Sequence, residues 1–391
     1  MVIATKSDFK LYSMKIICIF FALNLMLSCK AIKLINSQKI TTLKNISNMT
    51  FVGKTLSLDV KVDSVNTSFL FDTGAMASII LDTSVVKNFA SKKKFDFGST
   101  VGANGVKIKN SLFSVSLNSV LFKSENKVTT FINKPKSFCS SQKQVTTGIV
   151  GLDVFFNDDL TLFLDFSNKK ISNVDESDVQ DIKNRNQMEL IESECKNNKI
   201  FIFLNINDVK CKFKLDTGYN GNIIMPANDK LKIDKKNLSF ELEGAVFNTV
   251  STSTNGSELF YENVSLRLGN FDLLSKLNIS TTIKAQNIGI DFIKSFDWLI
   301  DYNNNKIYIR KNQNDLEKTY TEKINYYSKI INGKIIVIVK EKSSNKYSLG
   351  DEISIINYQK VTTENICDMQ KLLKETKDWN TLNLEVIPSK N

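Results

Sequence analysis

Two short segments of this 391-residue chain carry the same three residues in the same setting: Asp72-Thr73-Gly74 and Asp216-Thr217-Gly218, each at the end of an apolar run. An aspartate emerging from an apolar strand sits where water is scarce, and if two such turns face each other their carboxyls share one site. Like-charge repulsion then splits their titration, so the pair holds one proton between them. One oxygen can act as base and another as acid, enough to drive a bound water onto an amide carbonyl and to protonate the leaving nitrogen without a covalent intermediate. Composition narrows the chemistry in the same direction. The chain has no histidine, which excludes Ser-His and Cys-His nucleophile pairs, His-ligated metals and imidazole bases. A carboxyl pair of this kind calls for no metal and no organic cofactor. Thr73 and Thr217 have hydroxyls able to bond backbone of the opposite turn, and Gly74 and Gly218 let the chain pass beneath the acids without a β-carbon.

The elements that must position these acids recur with them. Residues Leu56 to Ile80 align without a gap on Ile200 to Ile224. Each copy alternates apolar and polar residues, turns at Asp63-Ser64 or Asn207-Asp208, and resumes alternation into Asp-Thr-Gly, the pattern of a β-hairpin. Each copy also closes alike, on Ile149-Val150-Gly151 and a strand over Leu160 to Phe166, or on Asn287-Ile288-Gly289 and a strand over Trp298 to Tyr302. Two units of one plan are expected over 50–175 and 195–312. The polar stretch 176–194 reads as a solvated connector with some helix.

An apolar strand, Asp-Thr-Gly, a small residue, and a later apolar-apolar-Gly motif resemble the active-site loops of retropepsin-like and pepsin-like aspartic peptidases. Phe69-Leu70-Phe71-Asp72-Thr73-Gly74-Ala75 fits that pattern closely. The second copy departs from it with Tyr219 in place of the small residue and Asn287 in place of an apolar one. The resemblance implies an all-β protein of two homologous β-barrel lobes with the cleft between them. It makes Asp72 and Asp216 the catalytic pair, with Thr73, Gly74, Ala75, Thr217, Gly218 and Tyr219 supporting them, and a peptide or protein as substrate. Family members cover the cleft with a hairpin flap, and Gly102, Asn104 and Gly105 form a turn at the matching distance from Asp72, with Gly244 at the matching place in the second unit. The alternative is a non-catalytic envelope lipoprotein that binds peptides or proteins on the same scaffold.

The remaining segments bear on location and partners. Met14-Lys15 precedes a short apolar run, Ile16 to Leu27, with the form of a secretory signal whose translation could start at Met14. Its end, Met26-Leu27-Ser28-Cys29, resembles the lipobox of bacterial lipoproteins. That makes 1–29 a signal peptide, Cys29 a lipidation site, and the mature protein an exported monomer held to the membrane in the cell envelope, in the periplasm or at the outer membrane. Cys139, Cys195, Cys211 and Cys367 permit three disulfide pairings and read as structural residues. From 327 to 389, a strand over Lys334 to Val339, the segment Leu349 to Asn357, a helix over Thr363 to Thr376 and a strand over Leu382 to Ile387 resemble the second half of a bacterial PDZ domain, small and α+β. The formal charge of +11 is spread along the chain, so no nucleic-acid partner is expected.

Overall fold

A computed structural model describes residues 36–95, 99–133, 138–139, 146–228, 231–248, 253–312 and 325–389. The expected signal segment and Cys29 lie outside the described residues. Strands make up 51% and helices 13%, so the class is all-β. No helix among the described residues is long and apolar enough to cross a membrane.

The repeated sequence builds repeated hairpins. Thr55–Val62 pairs antiparallel with Val65–Phe71, and Leu56, Leu58, Val60 and Val62 on its alternate positions are buried. Ile200–Ile206 pairs in the same way with Val209–Leu215. Its two turn residues, Asn207 and Asp208, both have positive φ, the conformation a tight hairpin demands and that Asn and Asp accept. The second strand of each hairpin then pairs parallel with the strand bearing the later glycine motif: Ile149 lies opposite Leu70 and Val150 opposite Phe71, while Asn287 lies opposite Lys214 and Ile288 opposite Leu215. A further strand after each Asp-Thr-Gly turn, Ile79–Ile80 or Ile223–Pro226, pairs antiparallel with that glycine-motif strand.

The closing segments of the two units meet in a six-stranded sheet. Its centre is the antiparallel pairing of Thr161–Asp165 with Phe296–Asp301, Phe163 opposite Leu299. Asp297 is fully buried here, at 0% exposure, and accepts from Arg310, from Ser167 N and from Ser167 Oγ, the partners a buried carboxyl group needs. The connector differs from expectation in its second half. The helix Glu176–Asn186 is solvated as expected, but Glu189–Ile191 joins the edge of this sheet against Lys306–Lys311 because Ile191 has an apolar core to enter. Asn45–Asn48 forms the opposite edge, against Lys170–Val174.

Residues beyond 325 have their own core around Tyr326, Tyr347, Ile353, Ile366, Leu373 and Trp379. A strand pairing and a disulfide tie this segment to the rest. Strand Lys334–Glu341 pairs with Leu238–Asn248 of the second unit, Gly244 opposite Val339, and Cys139 is disulfide-bonded to Cys367 on the helix Ile366–Glu375. Gly244 therefore lies within a paired strand and not at a hairpin tip; its φ of +108° and the closeness of Ile338 O leave no room for a side chain.

Candidate active site

Both acids emerge where the hairpin strands end. Asp72 N donates to Val150 O (3.0 Å) and Asp216 N to Ile288 O (2.9 Å), so each turn is fixed to the strand behind it. The glycines of the later motif let the turns pack closely: Leu152 N donates to Ala75 O (3.0 Å) and Ile290 N to Tyr219 O (2.8 Å).

The two turns interlock face to face. Thr73 Oγ1 donates to Leu215 O (2.9 Å) and accepts from Thr217 N (3.0 Å); Thr217 Oγ1 donates to Phe71 O (2.7 Å) and accepts from Thr73 N (3.0 Å). Both threonines are fully buried. Each carboxyl lies over the glycine of the opposite turn. A β-carbon on Gly74 would collide with the Asp216 carboxyl, and one on Gly218 would come within 2.5 Å of Asp72 Oδ2. This is the close approach that only glycine permits.

The acids differ in their surroundings. Asp72 Oδ1 accepts from Gly74 N (2.7 Å) and Ala75 N (3.1 Å). Asp72 keeps a partial opening to the surface, yet protein surrounds its carboxyl closely. Loss of hydration first and the Asp216 charge second push it up to about 7, while the Lys214 ammonium and the Gly74 N–H pull the other way. The Asp216 carboxyl lies over Gly74, whose N–H donates to Asp72 Oδ1, so the two carboxyls are near neighbours. Lys214 Nζ stands 3.5 Å from Asp216 Oδ2 and donates to Gly74 O across the interface (3.1 Å). Two carboxyls so arranged can exchange protons with a bound molecule at neighbouring oxygens.

Tyr219, the departure from the small residue expected there, turns back over its own loop. Its ring lies against Gly289, its phenol oxygen lies over Gly221, and the side chain packs with Ile224, Phe247 and Ile283. Burial first, and the neighbouring Glu258 charge second, push the phenol well above its ordinary value. Ala103 packs in the same cluster. It belongs to the hairpin tip containing Gly102, Asn104 and Gly105, which joins Ser99–Val101 to Lys107–Lys109. That tip reaches the second unit, with Asn104 Nδ2 donating to Thr254 Oγ1 (2.8 Å) and Ala103 O accepting from Lys284 N (3.1 Å). The hairpin thus spans from one repeat to the other beside Tyr219.

Sequence reasoning missed Lys214 and Glu258. A signal existed for Lys214, since the first copy has Leu70 at that place. Glu258 gave none, because an alternating strand does not reveal which polar residue faces inward. Among the described residues no group of three or more Cys, Asp or Glu could hold a metal ion. Scanned against protein-family models the chain matches none, and a search of curated proteins returns no match.

Proposed function

We propose that this protein is an aspartic endopeptidase of the cell envelope, built from two β-barrel lobes with a PDZ-like C-terminal appendage and exported as a lipid-anchored monomer. One observation carries the reading. Two aspartates from duplicated turns lie against each other's glycines, and reciprocal threonine bonds lock the turns.

The chemistry follows from one shared proton. The ionised carboxyl takes a proton from water as the water oxygen bonds to the amide carbon, and the protonated carboxyl gives its proton to the carbonyl oxygen. Collapse of the tetrahedral diol breaks the C–N bond, a proton passes to the leaving nitrogen, and the pair returns to one proton. The hairpin tip at Gly102–Gly105 is suited to covering an extended peptide laid between the units.

The test is cleavage of an unfolded protein at mildly acidic pH by the purified chain, by Asp72→Asn and by Asp216→Asn. Both variants should keep the fold and lose cleavage. Retained cleavage in both would defeat the assignment, and peptide binding without cleavage by the unaltered protein would favour the non-catalytic scaffold.

A further inference from the structure

The two halves of the site are built on one plan but differ beneath the acids. In the first unit the residue two before Asp72 is Leu70, and its cross-strand partner is Ile149, an apolar pair. At the same register in the second unit stand Lys214 and Asn287. Asn287 is 2% exposed, and its Oδ1 has no hydrogen-bond partner among the described residues. Two polar residues have replaced two apolar ones directly under one acid of the pair, at a desolvation cost that packing alone does not explain. The ammonium ends 3.5 Å from Asp216 Oδ2, with the two side chains 16% and 10% exposed, so solvent screens the contact little.

We infer that Lys214 is a positioning residue that breaks the symmetry of the acid pair, holding the negative charge on Asp216 and leaving the shared proton on Asp72 Oδ2. At the other acid, backbone donors decide which oxygen is left for the proton. Asp72 Oδ1 already accepts two backbone N–H groups, which a protonated carboxyl can still do through its carbonyl oxygen, so the proton falls to Oδ2. Lys214 reaches Gly74 O at the same time, which fixes the ammonium between the turns. On the reading of the pair as a hydrolytic dyad, Asp216 is then the base toward water and Asp72 the acid toward the carbonyl. Other charged or titratable groups face this spot from neighbouring elements: Tyr219 on the same loop, and Glu258 and Asp291 beyond its ring. Asp291 is itself paired with Lys54 and Lys294, and among the described residues Lys214 is the cation in an ion pair with Asp216.

The test uses Lys214→Leu, which installs the residue of the first unit, and Lys214→Arg, which keeps the charge. Asp72 is followed by carbon-13 carboxyl NMR in aspartate-labelled protein, its signal assigned by its loss in Asp72→Asn, and pH profiles of cleavage are recorded in parallel. Removing the opposite charge that stands 3.5 Å from Asp216 Oδ2 should raise the titration of the pair, read at Asp72, and with it both limbs of the profile, by about 1–3 pH units. Lys214→Arg should restore them. An Asp72 midpoint unchanged in Lys214→Leu overturns the proposal, as does activity lowered by one factor at every pH. If the midpoint moves but the unaltered protein cleaves nothing at any pH, Lys214 keeps its role and the hydrolytic reading fails.

Discussion

Replacing Thr73 by Val tests the interlock on which the acid pair depends. Valine keeps the shape of threonine and removes only the hydroxyl, at a position with 0% exposure. The change strands two buried backbone groups, the Leu215 carbonyl and the Thr217 N–H. At about 1–3 kcal/mol for each unsatisfied group, the expected loss is about 2–6 kcal/mol, a large part of the total stability of an ordinary domain. Thr217→Val strands Phe71 O and Thr73 N by the same geometry and should cost about as much. Thr73→Ser keeps both bonds and loses one methyl, a cost of about 1 kcal/mol. Equilibrium urea unfolding followed by tryptophan fluorescence reads these differences directly, Trp298 reporting on the sheet shared by the units. A loss under about 1 kcal/mol for Thr73→Val, or equal damage from Val and Ser, would mean that the turns are held by something other than these bonds.

Two further outcomes follow from the structure. Burial pushes the Glu258 carboxyl up to about 7 from an ordinary 4.5, against a partly compensating bond from Asn278. The folded chain then keeps a proton that the unfolded chain releases, so stability falls as pH rises from about 4.5 to about 7, by about 3 kcal/mol across that window. Glu258→Gln should flatten this fall in guanidinium unfolding measured at pH 5 and pH 8; an unchanged slope would reject it. The disulfide Cys139–Cys367 closes a loop across a separation of 228 residues, and removing it as Cys139→Ser/Cys367→Ser should destabilise the chain by about 2–5 kcal/mol. A denaturation midpoint equal to that of the unaltered protein would show the link to be dispensable.

Much of the site was legible because it is local and repeated. Alternation through Leu56–Val62 and Ile200–Ile206 marks hairpins, and Asp-Thr-Gly at the end of both makes the acids conspicuous. The carbonyls behind Asp72 and Asp216, Val150 O and Ile288 O, belong to the glycine motifs whose match was visible in the sequence. What stayed hidden depends on long-range contact. Ile191 looks like part of a polar connector until a sheet edge is there to receive it. Gly244 suggests a turn, but the strand Lys334–Glu341 pairs with it instead, and that partner lies too far along the chain for local pattern to reveal. Cys139 and Cys367 were one possible pairing among several, and only folding selects them. The helix near the C-terminus, expected over Thr363 to Thr376, runs over Ile366–Glu375. It begins later because Asn365 Oδ1 accepts from Thr362 N, which holds the residues before Ile366 in a turn.

Neutron diffraction from crystals grown near pH 5 would look at the shared proton itself. The account predicts carboxyls of Asp72 and Asp216 in contact, with a single deuteron between them attached to Asp72. Two deuterons, none, or acids too far apart to bond would contradict it.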